Sequence, residues 1–101
     1  MKKHEVKIRK YVDGVMISGR QTGNKIKNDF LKMYEMGVKI DLDFEGIENV
    51  THSFIDELIG AFMFYESDRA LEIFKFSNCN ESIKEVIKFV IKDRSSNHVS
   101  R

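Results

Sequence analysis

Apolar and polar residues alternate strictly along residues 38–45. Val38, Ile40, Leu42 and Phe44 interleave with Lys39, Asp41, Asp43 and Glu45. A period of two is the signature of a strand with one face toward a core and the other toward water. Asp41 and Asp43 are therefore expected on a solvated face, where a carboxylate pair is the other role open to them. A looser alternation over residues 4–11, with Val6 and Ile8 inward, predicts a first strand. Asp13–Gly14 is a two-residue hairpin signal, which predicts that Val15–Ile17 pairs back as a short second strand. Leu71–Phe76 predicts a further long strand.

Between the strands the period changes to that of a helix. In residues 19–36, Ile26, Phe30, Met33 and Tyr34 form one face, with Leu31 alongside, and Lys25, Lys27, Asp29, Lys32 and Glu35 form the other. Ser18 is the expected N-cap, with Gln21 completing a capping box, and Gly37 is the expected stop. A second helix is expected over residues 53–66, capped by Ser53. Its Asp56 and Glu57 suit the positive end of a helix dipole. Phe54, Leu58, Ala61, Phe62 and Tyr65 make one apolar stripe, and Ile55, Ile59 and Met63 its neighbour. So wide an arc predicts a largely buried helix. Ser67–Asp68–Arg69 reads as a loop. Asn80 caps a third helix, in which Ile83, Val86, Ile87, Val90 and Ile91 recur without a break while Lys84, Glu85, Lys88 and Lys92 face water. No periodicity continues past Arg94, so one domain over residues 1–93 and a frayed tail over 94–101 are expected.

The order β-β-α-β-α-β-α predicts an α/β fold: a mostly parallel four-stranded sheet with right-handed crossovers and three main helices. The polar residues along 38–45 predict that helices cover one face of that sheet better than the other.

Composition narrows the function classes. The net charge of +1 hides a segregation along the chain: residues 1–39 carry +6, residues 40–72 carry −8 and residues 73–101 carry +3. Nucleic-acid binders usually show one basic footprint, so this bipolar chain is expected to bind neither nucleic acid nor membrane. An acidic middle would suit a protein partner with a basic patch of its own. The N-terminal MKKHEVKIRK has no apolar run of a secretory signal, and no run approaches the roughly 20 residues of a membrane helix. With a single cysteine, Cys79, these features point to a soluble cytoplasmic protein.

Little of the sequence suggests chemistry. His4, His52 and His98 share no ligand spacing, and Cys79 has no CxxC partner, so neither metal nor cofactor is expected and an enzyme is not the favoured reading. Arg20 at a helix start could bind an anion together with Ser18 and Gly19; a capped, salt-bridged helix start is the simpler role.

Ile40–Gly46, Val50 and the run Ser53–Phe54–Ile55–Asp56–Glu57–Leu58 resemble the core of the STAS domain, the fold of the bacterial anti-anti-sigma factors. The Ser53–Leu58 run is most similar to that fold's small STAS-like relatives, as is Ser-x-Arg at 18–20. The resemblance spans about residues 5–92 and implies the same order of elements. Phosphorylatable STAS proteins carry Asp-Ser-Ser-Gly at the start of this helix, where a partner ATPase-kinase modifies the first Ser. This chain reads Thr51–His52–Ser53–Phe54, with His52 at the usual acceptor position and Phe54 in place of the Gly. Ser53, or Thr51, is then the candidate phosphoacceptor, and a structural cap is the alternative role of Ser53.

The resemblance implies a non-enzymatic regulatory module, monomer or weak homodimer. It would dock on an ATP-binding partner that is anti-sigma-factor-like or histidine-kinase-like. The expected contact surface is Gly46, His52, Ser53, Asp56 and Glu57, flanked by Arg20, so charge reversal at Asp56 and Glu57 is expected to leave melting unchanged. The alternative is a small-ligand or nucleotide sensor that holds an anion at Ser18, Gly19, Arg20 and Ser53.

Overall fold

The structure, a computed structural model, describes residues 2–99, with side chains as far as Ser95. Its centre is β3 (Lys39–Asp43), which pairs in parallel with β1 (Lys3–Lys7) on one side and β5 (Phe74–Ser77) on the other. Val6 stands beside Leu42 and Ile40 beside Phe74. On that face, Phe30 of α1 (Arg20–Glu35) and Phe62 lie 5.5 and 5.4 Å from the Phe74 ring. Ile40, Leu42 and Phe44 are wholly buried there.

The opposite face carries Lys3, Glu5, Lys7, Lys75 and Ser77 around Asp41 and Asp43. The two acids were expected to be solvated, yet they are 4% and 6% exposed. They sit on the middle strand, where side chains from both neighbouring strands close over them. Asp41 accepts from the Ser77 hydroxyl, with Lys3 Nζ 3.7 Å away. Asp43 accepts from Asn78 Nδ2 at 2.8 Å and from the Glu45 N–H at 3.0 Å, with Lys7 at 3.7 Å. The Asn78 bond and the Glu45 N–H hold the Asp43 carboxyl below the usual carboxylate range.

The expected hairpin at Asp13–Gly14 does not form. After β1 the chain makes a single 3-10 turn, Ile8–Tyr11, that buries Ile8. β2 (Met16–Ile17) then pairs in parallel with β4 (Asn49–Val50) in a sheet of its own. One four-stranded sheet is thus replaced by a three-stranded and a two-stranded sheet. The local turn signal loses to a pairing more than thirty residues away.

The second helical stretch starts at α2 (His52–Ile55), widens into a π-helical turn at Asp56–Gly60 and continues as α3 (Ala61–Ile73). It passes its expected end. Glu66 leaves helical angles (φ −140°, ψ 47°), and helix resumes through the expected Ser67–Arg69 loop. The contacts that hold the continuation are tertiary. Tyr34 Oη donates to Glu66 Oε1 at 2.8 Å. Arg69 Nη2 donates to the Tyr34 and Glu35 carbonyls at the end of α1, and its guanidinium lies over the Tyr34 ring. Burial, then the Glu66 bond, pushes the Tyr34 phenol up to about 12. β5 therefore begins at Phe74, three residues later than expected. The π turn also rotates the helix beyond it. Met63 is fully buried, whereas Ala61 and Tyr65, expected on the apolar stripe, are exposed.

The last helix, α4 (Glu81–Val99), starts as expected, with Asn80 Oδ1 accepting the Ile83 N–H at 2.9 Å. Ile83, Ile87 and Val90 are buried, and Val86 and Ile91 pack at the edge of the core. It does not fray at Arg94: helix continues to Val99, and only residues 100–101 of the expected tail lie outside the described residues. Arg94 continues the inward stripe and finds a carboxylate, that of Asp56, there.

Candidate functional site

Two helix starts meet at Thr51. Thr51 is extended (φ −95°, ψ 159°), and its Oγ1 accepts the Phe54 N–H at 3.3 Å, so Thr51 is the N-cap of α2. The same oxygen accepts the Gly19 N–H at 3.3 Å. Ser53, the expected cap, falls inside the first turn with its hydroxyl 3.2 Å from that of Thr51. The correction follows from where β4 ends: the chain is still extended at Thr51, and a cap must lie outside helical angles, as Ser53 does not. Likewise α1 is preceded by Gly19 at φ 88°, a backbone shape that favours glycine. The Ser18–Gln21 capping box is not made, since the cap position is Gly19 and no side chain bonds there. Ser18 is exposed, and the Gly19 N–H is spent on Thr51. The Gly19 N–H is therefore not left over for an anion.

Behind these starts lies a charge cluster built from three helices. Arg94 Nε and Nη2 donate to the two oxygens of Asp56 at 2.7 and 2.6 Å, and Arg20 Nη1 adds a third bond at 3.1 Å. Glu57 accepts from Asn24 Nδ2 at 3.1 Å and Lys27 Nζ at 3.2 Å, with Arg20 at 3.6 Å. The Arg94 bond holds the Asp56 carboxyl below its ordinary range, and the Asn24 bond does the same for Glu57. A Cβ on Gly60 would stand 2.7 Å from Asp56 Oδ1 and 3.2 Å from Arg94 Nε, so the bare glycine leaves room for the clamp. A Cβ on Gly23 would meet the Phe54 carbonyl oxygen at 2.8 Å where α1 crosses α2. Asp56 and Glu57, expected to be offered to a partner, are therefore committed within the chain.

The clamp forms one wall of a surface groove of about 410 Å³ lined by Arg20, His52, Ser53, Asp56, Phe89 and Arg94. The His52 and Phe89 rings meet edge to face at 5.0 Å, and Phe89 is 57% exposed. Beyond that pair a second groove of about 430 Å³ runs past Glu81, Glu85 and Val86. Arg20, His52, Ser53 and Asp56 are thus brought together as expected. Glu57 points to Lys27 instead, and Gly46 lies apart, its carbonyl 3.5 Å from Arg9 Nη1. Arg94 and Phe89 were missed. The sequence does hold a signal for Arg94, which stands four residues beyond Val90 on the stripe Ile83–Ile87–Val90.

Other reactive side chains lie elsewhere. The Cys79 thiol donates weakly to the Ser77 carbonyl, and burial pushes it up to about 11, so it is protonated at neutral pH. The side chain of His98 falls outside the described residues. Among the described residues no group of three or more His, Cys, Asp or Glu is arranged to hold a metal ion, and no helix is long and apolar enough to cross a membrane.

A family model described as a STAS-like domain of unknown function (DUF4325) matches residues 22–84, from the first turn of α1 to the first turn of α4. The chain belongs to this family. No curated protein and no solved structure matches it. The matched span of the STAS-like domain contains Thr51, His52, Ser53, Asp56 and Glu57; Arg20, Phe89 and Arg94 lie outside it.

Proposed function

We propose that this STAS-like domain is a non-enzymatic regulatory module that docks on a partner protein through the groove at the start of α2. One observation carries the reading: Arg20, His52 and Ser53 share an open groove with a half-exposed phenylalanine, Phe89, at the helix start where STAS proteins meet their partners. The partner class is the one the STAS resemblance implies, an ATP-binding protein that is anti-sigma-factor-like or histidine-kinase-like, met in the cytoplasm. Ser53 is the hydroxyl such a kinase would reach, because it lines the groove while the Thr51 oxygen is taken up by two N–H groups. A phosphate of about −1.5 to −2 charge there would stand in the same groove as Arg20 and Arg94. The anion-sensor alternative has weaker support, since the Gly19 N–H is already spent on Thr51.

A photo-cross-linking residue placed at His52, and separately at Lys75 on the polar sheet face, tests this in the native host. The expected result is one ATP-binding protein captured from position 52 and not from 75. Capture of nothing from 52, or the same proteins from both positions, would overturn the reading.

A further inference from the structure

Arg20 is the member of the charge cluster whose bonding capacity is half used. Its Nη1 alone is engaged, on Asp56 at 3.1 Å and near Glu57 at 3.6 Å; Nε and Nη2 find no acceptor among the described residues, and the side chain is 59% exposed. Arg94, by contrast, spends Nε and Nη2 on Asp56, and Lys27 is turned onto Glu57. A guanidinium is a planar fork with five donors. At Arg20 one hydrogen bond to Asp56 and a longer ion pair to Glu57 hold Nη1, so part of the side chain's ordering entropy is already lost before any partner arrives, with Nε and Nη2 left to donate.

The surroundings decide what that edge would meet. Three cations, Arg20, Lys27 and Arg94, face the carboxylates of Asp56 and Glu57, and a third acid, Asp93, brings the count to balance, so what stays open is the donor capacity of Arg20 and not a surplus of charge. Asp93 borders the groove beside Arg94, whose charge it opposes. The exposed acids Glu81 and Glu85 belong to the neighbouring groove, across the His52–Phe89 pair. Beside Arg20 the unmet need is for an acceptor. Phe89 lines the same groove, and aromatic residues and arginine are both enriched at protein interfaces relative to the rest of the surface.

We propose that this groove takes an acidic segment of a partner protein, with an Asp or Glu carboxylate on the outer edge of Arg20 and an adjacent aliphatic or aromatic side chain packed on Phe89. The proposal rests on the docking reading above and specifies its chemistry.

A random dodecapeptide display library selected on the full chain supplies the probe. Selected peptides are then measured by fluorescence anisotropy against wild type, Arg20→Glu, Arg20→Lys and Phe89→Ala, each checked for fold by circular dichroism. Peptides enriched in Asp or Glu next to an apolar residue are expected. They should weaken at least about tenfold on Arg20→Glu, the equivalent of losing one charged hydrogen bond, and by less on Arg20→Lys. Enrichment of Lys- and Arg-rich peptides, undiminished binding to Arg20→Glu, or no enrichment at all would each overturn the proposal. Peptides that depend on Phe89 but not on Arg20 would leave the docking reading standing while removing its acidic partner. A failed cross-link from position 52 would remove the docking reading itself.

Discussion

Asp56 receives both Nε and Nη2 of Arg94 from a helix 38 residues further along the chain, at 2.7 and 2.6 Å. Together with the bonds from Arg20 to Asp56 and from Lys27 to Glu57, this pair turns two acids at the start of a helix into a structural tie between α1, the π turn and α4. It also moves the accessible part of the site from the acids to Arg20, His52, Ser53 and Phe89.

Reversing both acids, Asp56→Lys with Glu57→Lys, should therefore lower the melting temperature, in contrast to the sequence expectation. Three cations would face two more at the same place. A loss of about 2 kcal/mol or more is expected, short of the roughly 3–5 kcal/mol for breaking a fully buried pair, because Arg20 and Arg94 keep contact with water. Thermal melts followed by circular dichroism measure it. An unchanged midpoint would mean that the clamp does not hold in solution.

Acid should weaken the fold through the same groups. Asp43, Asp56 and Glu57 are all held below their ordinary values, 3.8 for the aspartates and 4.5 for the glutamate. A carboxylate whose folded value is depressed contributes stability that is fully present above its unfolded value and is lost as pH falls through the folded one. Urea midpoints should be level between pH 7 and about 5, then drop below about pH 4. Asp56→Asn should flatten that drop and lower the neutral-pH plateau.

Thr51→Ala and Ser53→Ala separate cap from surface. Removing the Thr51 oxygen unseats the Phe54 and Gly19 N–H groups together, so a loss of about 1–2 kcal/mol is expected. Ser53→Ala removes only the hydroxyl contact to Thr51 and should cost well under about 1 kcal/mol. Equal effects in urea titration would contradict this division of roles.

Gly23→Ala places a methyl group 2.8 Å from the Phe54 carbonyl oxygen and 3.1 Å from Glu57 Cβ. Ordinarily a helical Gly→Ala gains about 1 kcal/mol. Here the helices must part, and a net loss of about 1–3 kcal/mol is expected, as for other overpacked sites. A stabilised variant would show that α1 and α2 do not cross so closely.

Much of the fold was legible because it is locally encoded. The alternation at 38–44 marks β3, the stripe Ile83–Ile87–Val90 marks the inner face of α4, and Asn80 caps where it should. Gly37 ends the first helix at φ 78°. The misreadings share one cause, a local cue outweighed by a distant partner. Ser67–Asp68–Arg69 is a polar triplet that reads as a loop, and only the end of α1 makes Arg69 part of a helix. Asp13–Gly14 marks a turn without saying that Ile17 will lie beside Val50. Ser53 is by composition the slightly better cap of the two, and the end of β4 gives the position to Thr51. Of the site, His52, Ser53, Asp56 and Arg20 were visible through the family pattern. Arg94 and Phe89 were not, because they come from a helix that meets α2 only once the chain has folded.

The strand pairings carry a last consequence, for how the molecule comes together. Lys3 faces Lys39, Met16 faces Asn49 and Ile40 faces Phe74, each pair more than about thirty residues apart and none joined by a hairpin. Such non-local pairing slows folding, because loop entropy is lost before any ladder bond is gained. A nascent chain halted before Phe74 would leave one edge of β3 bare and Asp41 and Asp43 without Ser77 and Asn78. Until its last third is made, the molecule is a sticky edge waiting for its cover.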